Sequence, residues 1–135
     1  MPYVDLSIAT PTAAPQGALH AVRTGLTRLM ADVLRKRADL TVVSARITPA
    51  GDLSIGGEPL ASTAWSGRLI AYVTEGTNSD EEKARFLERA YQLLSEQLGA
   101  PASPFYIVVQ EVPAGAWGFD GRSQADRARV PAPAA

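Results

Sequence analysis

Apolar and polar residues alternate over residues 3–10, with Val4, Leu6 and Ile8 on one side and Asp5 and Ser7 on the other. That is the period of a half-buried strand. Pro11 and Pro15 break it, and Pro15 suits the first turn of a helix. Over residues 16–37 the period changes: Leu19, Val22, Leu26, Met30 and Val33 recur at helical spacing. Arg35, Lys36 and Arg37 then fall in the expected last turn, where cations favour the helix dipole. Residues 40–47 read as a second strand. The same order follows again: a strand over 68–74, a capping box at Ser79-Asp80-Glu81-Glu82, and a helix with Leu87, Tyr91, Leu94 and Leu98 on one face. The helix stops at Gly99, and a strand over 105–112 ends the series.

The two halves are one pattern written twice. Pro49-Ala50-Gly51 recurs as Pro113-Ala114-Gly115, a shift of 64 residues. The same shift carries Leu6 onto Ile70, Ile8 onto Tyr72, Thr10 onto Thr74, Leu53 onto Trp117 and Gly57 onto Gly121 without a gap. It also carries Pro15 onto Ser79, so both helices are expected to begin in register.

Strand-helix-strand units with long crossovers imply parallel pairing within each half and helices on one sheet face. The fold class is therefore α/β: two tandem β-α-β units forming a four-stranded sheet with two helices on one face. The strands at 68–74 and 105–112 are apolar on both alternations and want cover on both sides. Two helices cover one face, so other copies of the chain are expected on the second. Residues 1–121 read as one domain made of pseudo-repeats 2–57 and 66–121. Residues 122–135, rich in Ala, Arg and Pro, read as a mostly solvated tail available to wrap a neighbour.

Composition narrows the function classes. The chain has 135 residues, thirteen of them basic and fourteen acidic, for a net charge of −1. That balance offers no field for nucleic acid or an anionic membrane. There is no cysteine and one histidine, His20, so thiolate metal sites, His-based metal sites and a Ser-His-Asp triad are hard to build. His20 falls off the apolar stripe of its helix and is expected to be solvated. No stretch approaches 18 consecutive apolar residues, and Asp5 interrupts any leader-like run, so a cytoplasmic address is expected.

A duplicated β-α-β chain beginning Met1-Pro2 resembles the tautomerase superfamily, which includes 4-oxalocrotonate tautomerase, malonate semialdehyde decarboxylase, the 3-chloroacrylic acid dehalogenases and macrophage migration inhibitory factor. The resemblance spans roughly residues 2–121. It rests on Pro2, on the segment from Pro49 to Glu58, and on Glu111-Val112-Pro113-Ala114-Gly115-Ala116-Trp117-Gly118-Phe119. It implies a homotrimer, a small carboxylate or carbonyl substrate, and no metal or cofactor.

The chemistry follows from Pro2. Inside a chain its nitrogen is a non-basic amide; at a chain start, after loss of Met1, it is a secondary amine. An α-amine ordinarily titrates at about 7.7–8.0. An apolar pocket disfavours the charged form and frees a lone pair near neutral pH. Such a base can move a proton between the oxygen and carbon of an enol. The plain alternative is that Pro2 merely begins a strand, where it costs no ladder hydrogen bond.

The resemblance supplies further candidates, each with a structural alternative. Tyr106 falls where the inhibitory-factor pattern has an active-site tyrosine, or is a core aromatic. Trp117 falls where the 4-oxalocrotonate tautomerase pattern has an aromatic wall, or packs its own turn. The arginines expected after the first or third strand are replaced by Thr10-Pro11-Thr12 and Thr74-Glu75-Gly76-Thr77-Asn78. Arg37, beside the position of a lysine in the inhibitory-factor group, and Arg46 on the second strand are the substitutes for substrate binding, or are solvated cations. Asp39 resembles the carboxylate of the decarboxylases, or is a turn residue. Three functions are thus in play: a Pro2-dependent isomerase of small 2-oxo or 2-hydroxy acids, a decarboxylase or cofactor-free dehalogenase of the same superfamily, and a binding protein with a vestigial pocket.

Overall fold

The computed structural model describes residues 2–11 and 16–129. Pro15, expected in a helix's first turn, lies outside the described residues, as do Met1 and residues 130–135. Strand β1 (Tyr3–Thr10), helix α1 (Gln16–Asp32) and strand β2 (Val42–Pro49) make the first unit. A two-residue hairpin follows, β3 (Ser54–Ile55) and β4 (Glu58–Pro59). The second unit is β5 (Ser66–Thr74), α2 (Asp80–Leu98) and β6 (Tyr106–Val112), again with a hairpin, β7 (Gly118–Phe119) and β8 (Arg122–Ser123). A short helix, α3 (Gln124–Arg129), ends the described chain. The 64-residue shift maps Gln16 onto Asp80, Val42 onto Tyr106, and β3 and β4 onto β7 and β8. Both hairpins turn on two residues of positive φ, Gly56-Gly57 (62° and 81°) and Asp120-Gly121 (52° and 85°). Such turns match the strand twist and favour glycine or aspartate there.

The main sheet runs β2-β1-β5-β6. Each unit pairs in parallel within itself, and the units join antiparallel through β1 and β5, with Tyr3 opposite Tyr72 and Leu6 opposite Leu69. Gly67 is required at this seam: a Cβ there would lie 1.9 Å from the Ser7 carbonyl oxygen. Val4, Leu6 and Ile8 of β1 and Leu69, Ala71 and Val73 of β5 face the helices. They form one core with Leu19, Val22, Leu26 and Met30 of α1 and Phe86, Ala90 and Leu94 of α2. This is the four-stranded α/β architecture expected, with the five apolar residues read onto the first helix all buried, Val33 just past its end, and His20 exposed.

Four details differ from expectation. First, α1 ends at Asp32, because the chain turns through a left-handed Arg35 (φ 59°). The basic triplet therefore leaves the helix: Arg35 pairs with Glu82 at 2.7 Å, Lys36 bonds Thr77 and Arg37 pairs with Asp39. Second, the buried stripe of α2 is Phe86, Ala90 and Leu94, while Leu87 and Tyr91 are 38% and 42% exposed. Two i,i+4 stripes share Leu94, and contact with the sheet selects the other one. Third, residues 122–129 are no solvated tail. They form β8 and α3, docked by Gln124 N–H to the Trp117 carbonyl and Ala125 N–H to the Ala114 carbonyl, both 2.9 Å. Fourth, the open sheet face is mixed. Tyr3, Val42, Ile70, Tyr72, Tyr106 and Val108 share it with Asp5, Ser7, Arg46 and Arg68. Among the described residues, no helix is long and apolar enough to cross a membrane.

Candidate active site

Pro2 heads the central strand β1 and is buried. The Val42 N–H donates to the Pro2 carbonyl at 3.3 Å, carrying the parallel ladder one residue past the strand's start. The ring is thus held by sheet geometry. It lines a cleft of about 220 Å³ with Tyr3 and Tyr72 on one side and Leu40 and Val42 on another. Trp117, Gly118, Phe119 and Gln124 complete the wall. The register explains the first group: Val42, Tyr3 and Tyr72 are one row across the sheet, and the two tyrosine rings meet edge to face at 6.3 Å.

The second group comes from the turn after β6. Trp117 is held by its indole N–H, which donates to the Thr74 hydroxyl at 3.1 Å. Phe119 is held from behind by Arg127. That guanidinium sits 3.5 Å from the ring centroid and donates to the Phe119 carbonyl at 2.9 Å. Arg122 and Asp126, paired at 3.0 Å, tie β8 to α3. Gln124, the first residue of α3, is fixed by its own backbone bond to Trp117. The result is a mostly apolar cleft with few polar atoms, the kind of surrounding that disfavours a charged amine.

Residues 70–127, from β5 into α3, match the family model described as Tautomerase enzyme. The chain also superposes on solved structures along nearly its whole length. One is a symmetric trimer of wild-type fused 4-OT (18% identity, 91% of this chain and 98% of that one, TM-score 0.79). Another is Pt0534 inactivated by 2-oxo-3-pentynoate (14% identity, 91% and 96%, TM-score 0.79). A third is N1, a member of the cis-3-chloroacrylic acid dehalogenase family (20% identity, 90% and 82%, TM-score 0.75). Residues 70–127 thus match the tautomerase family, and the chain as a whole shares the fold of these solved structures. No curated protein sequence matches it.

Within this tautomerase fold, Pro2 and Trp117 lie together in the cleft, and the other four candidates do not line it. Tyr106 is 68% exposed on the edge strand β6, opposite Arg68. Arg68 is four residues from Tyr72 along β5, roughly 13 Å at the rise of a strand. Tyr106 therefore does not partner Pro2 within one chain. Arg46 lies as far along β2 from Val42 and sits 4.0 Å from Asp5. Arg37 and Asp39 flank the turn that carries Leu40 into the cleft. They pair with each other at 2.6 Å, with 70% and 63% of their side chains exposed. Residues that the sequence did not mark for the site also shape it, among them Leu40, Tyr72, Phe119 and Gln124 in the wall and Arg127 against Phe119. Phe119 belongs to the turn motif itself. Tyr72 follows only from the antiparallel register of β1 and β5. Gln124 and Arg127 follow only from docking of α3.

Proposed function

We propose that the chain is a cofactor-independent isomerase in which Pro2, made N-terminal by loss of Met1, is the general base. The reading is carried by one observation: Pro2 is buried at the head of a central strand and faces an apolar, aromatic cleft. Desolvation there lowers the amine's affinity for a proton, leaving its lone pair free at neutral pH. The substrate class is a small 2-oxo or 2-hydroxy acid. The Pro2 nitrogen takes the enol O–H proton, the oxygen lone pair re-forms the carbonyl, and the former C=C pair takes a proton at C3. The proton count is unchanged and no co-reactant is needed. That the related Pt0534 is inactivated by a 2-oxo acid agrees with this class.

Decarboxylation or hydrolytic dehalogenation is less well supported. Hydrolysis needs a group to activate water, and among the described residues lining the cleft there is no carboxylate and no arginine. Assembly as a trimer is part of the proposal, since fused 4-OT is solved as one and apolar side chains such as Tyr106 and Val108 stand exposed on the open face and edge. Tyr106 serves a Pro2 cleft only across such an interface.

The test is an ultraviolet assay of phenylenolpyruvate and 2-hydroxymuconate ketonisation, with the intact mass recorded on the same sample. Loss of Met1 and enzyme-dependent ketonisation are expected. Retention of Met1, or no catalysis of either enol, removes the proposal.

A further inference from the structure

Among the described residues that line the Pro2 cleft, none has a charged side chain. A cation nevertheless rests against its wall. Arg127 does not line the cleft, but its guanidinium stacks on the ring of Phe119, which does, 3.5 Å from the centroid. That charge is uncompensated. Among the described residues Arg127 makes no ion pair, and its neighbour Asp126 is engaged by Arg122 at 3.0 Å and by Arg129 at 3.5 Å. One guanidinium N–H goes to the Phe119 carbonyl at 2.9 Å, and the Nε is closed off from water. Residues 117–129 carry three arginines against two aspartates, so the turn and α3 keep a net positive charge. A half-buried cation is screened less than an exposed one, and its field reaches further.

We propose that Arg127 is a positioning residue that gives the cleft its preference for an anionic ligand, acting across the Phe119 ring. This rests on the Pro2 cleft being the ligand site, and it deepens that reading: the ligand is a small carboxylate recognised by its charge, with no arginine touching it. The face of an aromatic ring is negative and by itself repels an anion. A cation stacked on one face draws that density toward itself and leaves the other face open to a carboxylate. A ligand in van der Waals contact with the ring's other face lies about 7 Å from the guanidinium. Attraction over that distance, at the effective dielectric of a partly buried site, supports about a tenfold preference for the anion. The same contact also steadies Phe119. Steadying a ring favours charged and uncharged ligands alike, so ligand charge separates the two roles.

Phenylacetate and phenylacetamide make the test, because they share a shape and differ in charge. Titration calorimetry of the full chain is expected to show phenylacetate bound about tenfold more tightly than the amide. Arg127→Gln, which keeps an N–H for the Phe119 carbonyl and removes the charge, should bring the two within about twofold of each other. Arg127→Met takes its place if the glutamine variant does not fold. Arg127→Lys, which keeps the charge, should keep the preference. Equal binding of the two ligands by the wild type, or no binding of either, overturns the proposal. So does a preference that survives in Arg127→Gln, or one that is lost in Arg127→Lys. Parallel weakening of both ligands in Arg127→Gln reduces Arg127 to a brace for the wall and overturns it as well. Binding needs no catalysis, so the two readings fail separately. An inactive Pro2→Ala beside an unchanged preference in Arg127→Gln removes Arg127 alone. Full activity in Pro2→Ala, with the preference lost in Arg127→Gln, removes the base alone.

Discussion

The 64-residue repeat places Pro2 and Ser66 at equivalent heads of the two central strands, and the two ends have become different. At the first, Pro2 meets Tyr72, Trp117 and Phe119 in an apolar cleft. At the second, the equivalent residues are Ile8, Leu53 and Ile55. The nearby cleft of about 280 Å³ is lined by Thr48, Asp52 and Arg68 among others. Ser66 is buried and its hydroxyl donates to the Ala102 carbonyl at 2.8 Å, with Trp65 closing over it through an indole bond to Gly99. One backbone frame thus supports two ends, of which the second cannot present a free amine at all, since Trp65 precedes Ser66. Position in the fold supplies the direction of the group; the side chains around it supply the chemistry.

The largest effect should separate the two ends directly. Pro2→Ala is expected to lower kcat/KM for enol ketonisation by about 10²–10⁴-fold, the usual contribution of a positioned base. Ser66→Ala should leave kcat/KM within about twofold and cost about 1 kcal/mol in chemical denaturation, for one lost hydrogen bond. Equal activity loss in both variants would mean that the strand heads act through stability, and would end the distinction.

Next comes the seam. The shift carries Tyr3 onto Gly67, so a ring stands at one end of the β1–β5 junction and a bare backbone at the other. Gly67→Ala forces a methyl group against the Ser7 carbonyl. A loss of about 3 kcal/mol is expected, from overpacking that the main chain cannot relieve. Thermal melting checks it, and an unaltered Tm would show that the strands separate there at little cost. A smaller effect is expected from Trp117→Leu, which gives the second turn the residue of the first. With one aromatic wall removed, KM should rise about tenfold and kcat should change less. A fall in kcat alone would instead place the indole in the transition state.

Much of this contrast is legible in the sequence, and the illegible part has one cause. The strands, both helix starts and the 64-residue shift follow from local periodicity and turn chemistry, which nearby residues determine. Pro2 and Trp117 follow because each belongs to a local motif. What local pattern does not carry is how the two units meet. Nothing in residues 3–10 or 66–74 specifies the antiparallel register that puts Tyr72 opposite Tyr3. The rotation of α2 onto Phe86, Ala90 and Leu94 is likewise decided by the sheet. Residues 122–129 look like a polar tail because α3 exposes Ala128 and Arg129 and only half-buries Gln124, Ala125, Asp126 and Arg127. Its docking rests on main-chain bonds and on the Arg127 contact with Phe119, and neither leaves a mark on composition.

The helix starts differ as well, and pH probes that difference. The α2 start is capped by Ser79 and Glu82 in reciprocal bonds, and Glu82 also binds Arg35. In the first turn of α1 there is no acidic residue. Hydrogen bonds from Arg35, first, and from the Ser79 N–H hold the Glu82 carboxyl down at about 2, against an ordinary value of 4.5. Glu111 is also held low, chiefly by Lys83 and then by the Gly76 N–H. A depressed carboxyl contributes stability that is fully present above its unfolded value. Below pH 4.5 the unfolded chain takes up protons that the folded chain still refuses. Stability should therefore fall as the pH drops from about 4.5 toward 2. Urea midpoints at pH 7, 4 and 3 measure the slope. Glu82→Ala should be less stable than the wild type at pH 7 and should lose less on acidification, so that the two curves converge. Parallel curves would mean that the cap and its arginine act by shape alone, and that the acid sensitivity of the fold resides elsewhere.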